Sequence, residues 1–124
     1  IVTSGLREVA TARLVAAGIP IPRVMVTAES IERGKPDPEC YLKGAKSLGV
    51  DPRDCVVVED APIGATAARA AGMRLIALTT THRADQLEPA DLIVPDLTYL
   101  VVRTAERTNG ASGSSSRLEI GRRG

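Results

Sequence analysis

The sequence predicts an α/β fold, in which a parallel sheet carries helices on both faces. Short apolar, strand-like runs alternate with helical patterns through residues 1–105, and this alternation is typical of βαβ units. The run Cys55–Val58 is one cysteine followed by three valines, a composition typical of a strand buried on both faces of a parallel sheet. Glycine follows three of the helical patterns, at positions 18, 49 and 72, where a helix commonly ends.

The first half of the chain is predicted to hold two strands and two helices. Apolar residues recur at helical spacing after the Ser4-Gly5 turn, and two prolines then exclude a helix from the following loop. In order, these elements are a strand end at Ile1–Thr3, a helix at Leu6–Ala17, a loop at Ile19–Pro22, a strand at Val24–Thr27 and a helix from Pro38 to about Leu48.

The second half is predicted to hold three strands and two helices. In order, these are the strand Cys55–Val58, an alanine-rich helix at Ala61–Ala71, strands at Leu75–Leu78 and Leu92–Val94, and a helix at Leu97–Ala105. The remaining residues, 106–124, are rich in glycine, serine and arginine. Such a composition buries too little apolar surface to order itself, so we expect one domain over 1–105 and a disordered tail.

Composition excludes several classes of partner. The chain of 124 residues carries 16 Lys and Arg against 15 Asp and Glu, and it has two tyrosines but neither Phe nor Trp. This near-balance argues against nucleic acid or an anionic membrane as a partner, and base-stacking platforms are hard to build from so few aromatic rings. Two cysteines form a poor disulfide framework. We therefore expect reduced thiols and a cytoplasmic location.

Candidate chemistry lies after the predicted strands, because ligands of open parallel sheets bind at the carboxyl ends of the strands. Thr3-Ser4-Gly5 supplies a hydroxyl and backbone N–H groups before a helix, an arrangement suited to phosphate. Glu59-Asp60 offers the carboxylate oxygens that Mg²⁺ prefers, and Lys35 in a Gly-Lys-Pro turn could neutralise phosphate charge. His82, the single histidine, has no evident partner that would make it a catalytic base.

Each feature also has an ordinary structural explanation. Thr3 and Ser4 could simply cap a helix, Lys35 could be a solvated surface residue, and Glu59-Asp60 could favour the dipole of the next helix. The occurrence of all three features at one predicted sheet edge favours the functional interpretation.

Three segments resemble conserved motifs of the haloacid dehalogenase superfamily. Ile1–Gly5, Gly34–Leu42 and Val56–Gly64 are similar to its motifs two, three and four, and the resemblance covers about residues 1–102. It is closest to sugar-phosphate and polyol-phosphate phosphatases of the β-phosphoglucomutase-like branch. It implies a Rossmann-like core and a Mg²⁺-dependent hydrolase that cleaves small sugar or polyol phosphates through an aspartyl-phosphate intermediate.

The resemblance also implies individual roles. Thr3 would hydrogen-bond the transferring phosphoryl group, beside the backbone donors of Ser4 and Gly5. Lys35 would offset charge on the phosphoryl group and the nucleophile. Asp60 would be a direct Mg²⁺ ligand, and Glu59 would bind the ion directly or through water.

One motif of the family is missing. No Asp-x-Asp, the source of the nucleophile and the general acid/base, occurs in the sequence, and no helical cap is recognisable. The resemblance would place both upstream of Ile1, together with a central strand. We therefore expect an incomplete core with unpaired inner sheet edges that invite pairing with other chains, and no activity from this chain alone. A β-phosphoglucomutase-type phosphotransferase and a non-catalytic phosphate-binding or interaction module remain the alternatives.

Overall fold

The computed structural model describes residues 1–107 and 115–124, and it confirms the α/β prediction. Three parallel strands form one sheet in the order β1-β2-β3. Val57 pairs with Leu75, and Ile76 pairs with Leu92. The strands are β1 at Val56–Glu59, β2 at Arg74–Leu78 and β3 at Leu92–Val94. Because all three run in the same direction, their carboxyl ends share one edge of the sheet.

Three α-helices accompany the sheet, close to the positions predicted. They are α1 at Arg7–Ala16, α2 at Glu39–Leu48 and α3 at Pro62–Ala70. Gly49 and Gly72 adopt φ values of 70° and 71°, a left-handed conformation that glycine reaches without a steric penalty. None of the helices in the described part of the chain combines the length and apolar character that crossing a membrane requires.

The core lies between the helix α3 and the sheet. Ala67, Ala68 and Leu75 are completely buried, and small alanine side chains let the helix approach β1 and β2 closely. In the part of the chain that the structure describes, four short 3₁₀ turns connect the longer elements, at Ala28–Ser30, Pro52–Asp54, Ala84–Gln86 and Leu97–Tyr99.

The predicted first two strands are reduced to a single parallel bridge between Val2 and Val26. Two backbone hydrogen bonds hold it, from Thr3 N–H to the Val26 carbonyl and from Val26 N–H to the Ile1 carbonyl, each 2.9 Å. Within residues 1–107 and 115–124, β1 pairs with β2 alone. A groove of about 1440 Å³ lies between the Val2–Val26 bridge and β1. Val2 of the bridge and Val57 of β1 are among the residues that line it.

The C-terminal region differs from the sequence prediction. The helix predicted at Leu97–Ala105 is wrong: after a 3₁₀ turn the chain forms a strand, β4, at Leu100–Arg107. The tail predicted to be disordered over 106–124 contains the strand β5, Ser115–Arg122, which pairs antiparallel with β4. Val, Val and Thr among residues 100–107 favour strand over helix, and pairing supplies backbone hydrogen bonds along the facing edges of the two strands. Residues 108–114 of the predicted tail lie outside the described residues.

Asp91 joins β3 to β2 and carries a testable share of the stability. Its carboxylate accepts a hydrogen bond of 2.6 Å from Leu75 N–H, and it forms an ion pair with Arg69 at 3.1 Å. The backbone hydrogen bond from Leu75 and the Arg69 charge lower the pKa of the Asp91 carboxyl. Its contribution is therefore present at neutral pH and is lost as the pH falls through the folded-state pKa.

We expect Asp91→Asn to lower the free energy of unfolding by about 1 kcal/mol near neutral pH, because a charge-assisted hydrogen bond at a partly exposed carboxylate is lost. Urea unfolding at neutral pH and in the acid range should show a weaker pH dependence for the variant. Asp85→Asn is the matched control, because Asp85 pairs only locally with Arg83 on the surface. Equal effects of the two substitutions would contradict the assignment.

Candidate active site

Glu59 is the last residue of β1, and its carboxylate accepts four hydrogen bonds. Oε1 accepts from Lys35 Nζ and, at 3.0 Å, from the Tyr41 hydroxyl. Oε2 accepts from the backbone N–H groups of Asp60 at 2.9 Å and Ala61 at 3.0 Å. Since each carboxylate oxygen offers two lone pairs, these four donors use the full accepting capacity of Glu59.

Lys35 forms an ion pair with Glu59 that is largely shielded from water. Each side chain is only 11% exposed, and the Lys35 ammonium also lies 5.0 Å from the centre of the Tyr41 ring, within range of a cation–π interaction. The turn before α2 thus brings Lys35 to the carboxyl end of β1, where the sequence predicted it. The alternative of a solvated surface lysine does not describe this residue.

The local charges keep Glu59 ionised. Burial acts to raise the pKa of the Glu59 carboxyl, but the hydrogen bonds from Lys35, Ala61 and Tyr41 outweigh burial and leave the pKa below its usual range. Tyr41 shifts the opposite way: burial and the adjacent Glu59 charge raise the pKa of the phenol well above its ordinary value. At neutral pH the group therefore contains one cation, one anion and one neutral phenol that donates to the anion.

Gly64, on the first turn of α3, allows the carboxylate to occupy this position. A Cβ atom at Gly64 would lie 2.0 Å from Glu59 Oε1 and 2.1 Å from Glu59 Cδ, far inside van der Waals contact. The absence of a side chain here lets α3 begin directly against the Glu59 carboxylate. The sequence segment Glu-Asp-Ala-Pro-Ile-Gly therefore functions as one structural unit.

Asp60 makes a different set of contacts, with residues that follow β2. Its Oδ2 accepts from the hydroxyls of Thr80 at 3.3 Å and Thr81 at 2.9 Å. The Asp60 backbone carbonyl lies 3.0 Å from both Thr81 Oγ1 and His82 Nδ1. The sequence analysis assigned no role to Thr80, Thr81 or His82. Their position directly after a predicted strand, at the same sheet edge as Asp60, was the signal that could have identified them.

Thr3, Ser4 and Gly5 follow the Val2–Val26 bridge and make their own local contacts. Gly5 N–H donates to Thr3 Oγ1 at 3.1 Å, so this N–H is already used. At the start of α1, Arg7 N–H donates to the Glu29 carboxylate at 3.0 Å, so this N–H is used as well. No hydrogen bond among the described residues connects Thr3-Ser4-Gly5 to Lys35, Glu59 or Asp60, so the structure does not bring the predicted site residues into one contact group.

The oxygen donors at this edge fit Mg²⁺ through Asp60. No group of three or more His, Cys, Asp or Glu side chains in the described ranges is arranged to hold a metal, and the Glu59 oxygens are fully engaged. Asp60 Oδ1, by contrast, accepts no hydrogen bond from a described residue. One carboxylate oxygen supplemented by water matches the preference of Mg²⁺, which keeps several waters and takes one or two protein carboxylates.

Comparisons with known proteins identify relatives of the chain. Residues 1–72 match the family model of haloacid dehalogenase-like hydrolases. Hexitol phosphatase A of Escherichia coli (strain K12) is 48% identical over 102 residues, which are 82% of this chain and 47% of that protein. Validoxylamine A 7'-phosphate phosphatase of Streptomyces hygroscopicus subsp. limoneus is 44% identical over 99 residues, covering 79% of this chain and 46% of that protein.

A solved structure agrees with these relatives. The β-phosphoglucomutase of Clostridium difficile matches with a TM-score of 0.62 and 31% identity, over 68% of this chain and 37% of that chain. The chain spans about half the length of the curated relatives it matches. The family match covers more than half of the chain's residues and includes Lys35, Glu59 and Asp60. The chain therefore belongs to the haloacid dehalogenase-like hydrolases.

Proposed function

We propose that these residues serve a Mg²⁺-dependent phosphatase that acts on small sugar or polyol phosphates through an aspartyl-phosphate intermediate. The observation that carries the proposal is the shielded Lys35–Glu59 pair, which lies beside Asp60 at the carboxyl end of β1. The relatives named for hexitol phosphate and validoxylamine 7'-phosphate support the substrate class. Cys40 and Cys55, both free thiols, fit a cytoplasmic location.

In this proposal Asp60 holds the metal through Oδ1. When bound, Mg²⁺ offsets the negative charge of the phosphoryl oxygens. Glu59, whose four acceptor positions are taken, fixes the Lys35 ammonium in place rather than binding the metal directly. The resemblance implied that Glu59 binds the ion either directly or through water. Lys35 is held to neutralise phosphate charge, and Thr3 retains its hydroxyl hydrogen to donate to a phosphoryl oxygen.

The nucleophile must come from outside residues 1–124 in this scheme, because these residues contain no Asp-x-Asp. We expect the 124-residue chain alone to release no phosphate. A fusion that places an Asp-x-Asp segment of a haloacid dehalogenase-like phosphatase ahead of Ile1 is expected to release inorganic phosphate from a hexitol phosphate in the presence of Mg²⁺. Phosphate release is measured with and without EDTA.

Substitutions within the fusion test which residues phosphate release requires. Replacing the first aspartate of the Asp-x-Asp by Asn should abolish turnover. Thr3→Val should lower the rate without abolishing it, because one hydrogen bond to the phosphoryl group is lost. Release by the unfused chain, or a folded fusion that releases no phosphate from any sugar or polyol phosphate, would contradict the proposal.

A phosphotransferase that moves phosphate within a hexose is the second candidate, and the likeness to a β-phosphoglucomutase structure favours considering it. The two functions differ in the acceptor of the phosphoryl group, which is water for the hydrolase and a sugar hydroxyl for the mutase. Incubating the fusion with β-glucose 1-phosphate separates them: inorganic phosphate indicates hydrolysis, and glucose 6-phosphate indicates transfer.

A further inference from the structure

Asp60 has one carboxylate oxygen bound by hydroxyl donors and the other without a described donor. Both lone pairs of Oδ2 are used by Thr80 and Thr81, at 3.3 Å and 2.9 Å. Oδ1 accepts from none of the described residues. A carboxylate held in this way can offer only one oxygen to a cation, so its metal binding is monodentate and its direction is fixed.

The hydrogen atoms shared by Thr81 and His82 can be assigned from the Asp60 backbone carbonyl, which both residues contact. The Asp60 backbone carbonyl only accepts, so the 3.0 Å contact with His82 requires a hydrogen on Nδ1. Thr81 has a single hydroxyl hydrogen and lies within reach of both the Asp60 carbonyl and Oδ2. Of these two acceptors Oδ2 is the charged one and the nearer, at 2.9 Å against 3.0 Å, so we assign the Thr81 hydrogen to Oδ2. His82 also lies 2.9 Å from Thr81 Oγ1, so the two residues support each other.

We infer that Thr81, assisted by His82, is a positioning residue that holds the Asp60 carboxylate with Oδ1 directed to the metal. This inference rests on the proposed function, because it takes Asp60 as the Mg²⁺ ligand. Groups that hydrogen-bond a metal ligand typically change metal affinity by about 10- to 100-fold when removed. Thr81 contacts both the side chain and the backbone of Asp60, whereas Thr80 makes one longer contact.

The test is a titration of the full 124-residue chain with MgCl₂, followed by the NMR shifts of the Asp60 and Ala61 backbone amides. Thr81→Val is expected to raise the apparent Kd for Mg²⁺ about tenfold. Thr81→Ser keeps the hydroxyl and should bind within about twofold of the parent. Thr66→Val is the matched control, because the Thr66 hydroxyl donates only to Pro62 within α3.

Each outcome has a separate meaning. Tenfold weaker binding by Thr81→Val, rescued by Thr81→Ser, supports the positioning role, since a general loss of folding would not be rescued in this way. Unchanged Kd in Thr81→Val overturns the inference and leaves the metal assignment intact. Absence of Mg²⁺ shifts in the parent, or equal binding by Asp60→Asn, overturns both the inference and the proposed role of Asp60.

Discussion

Replacing Lys35 by Met is expected to lower the free energy of unfolding by about 3 kcal/mol at neutral pH, because a buried carboxylate then loses the cation with which it pairs among the described residues. Glu59 is 11% exposed, and water cannot replace the ammonium. Tyr41 and two backbone N–H groups still donate to the carboxylate, which keeps the loss at the lower end of the usual range. Urea unfolding measures the change.

The pH dependence of stability in the Lys35→Met variant provides a second, independent test of the Lys35–Glu59 pair. In the parent the pKa of Glu59 is lowered, so its contribution to stability is present at neutral pH and is lost as the pH falls through the folded-state pKa. Without Lys35, we expect burial to outweigh the hydrogen bonds that remain from Ala61 and Tyr41, so that the pKa of Glu59 rises above its unfolded value. The variant should therefore regain part of its stability as the pH is lowered from neutral toward the acid range.

Two further variants complete this test. Lys35→Met combined with Glu59→Gln removes both charges, so the double variant should recover most of the lost stability. Lys46→Met changes an exposed lysine of α2 that has no ion pair or hydrogen bond among the described residues, and it should have an effect of about 0.5 kcal/mol or less. If the two lysine variants are equally stable, the ion pair does not stabilise the fold as described.

Gly64→Ala is expected to destabilise the protein by about 3 kcal/mol, although alanine is the better helix former by about 1 kcal/mol. The new Cβ would lie 2.0 Å from Glu59 Oε1, so the carboxylate must leave its place and lose its charge-assisted hydrogen bonds to Lys35 and Tyr41. Thermal and urea unfolding measure the loss. Gly44→Ala in α2 is the matched control, since its Cβ would meet methyl groups of Val2 at 3.3 Å and Val26 at 3.9 Å, and no charged group.

The cause of the Gly64 effect can be isolated by removing the carboxylate. In a Glu59→Ala background the clash no longer exists, so the second substitution, Gly64→Ala, should be neutral or stabilising by up to about 1 kcal/mol. The same loss in both backgrounds would show that Gly64 is required for a reason other than the space occupied by Glu59.

Local patterns in the sequence were sufficient to predict much of the fold. The valines of β1, the alanines of α3 and the glycines at 49 and 72 each carry a conformational preference that agrees with the final structure. The prediction of a helix at Leu97–Ala105 was wrong because the spacing of its apolar residues fits the period of a helix and also that of a strand. Pairing with β5 decided the outcome in favour of the strand. That pairing depends on residues 115–122, whose composition by itself indicated no order.

The site was predictable in its residues but only partly in its contacts. Lys35 in a rigid turn, and the neighbouring carboxylates Glu59 and Asp60 after a strand, indicated the edge of the sheet at the carboxyl ends of its strands. The structure places all three there. The sequence could not show that Glu59 has four donors, because Lys35 and Tyr41 reach it only in the folded chain. Thr81 was missed for the same reason, since its contact with Asp60 joins two neighbouring strands.

The most direct test of the account is the rate of phosphate release by the Asp-x-Asp fusion as Mg²⁺ is varied, compared between the parent fusion and its Asp60→Asn variant. We predict a rate that saturates with Mg²⁺ in the parent and falls by about 100-fold or more in the variant, because the charge stabilisation of the transferring phosphoryl group is lost. An Asp60→Asn fusion that retains the parent's rate and Mg²⁺ dependence would contradict the central role given to this edge of the sheet.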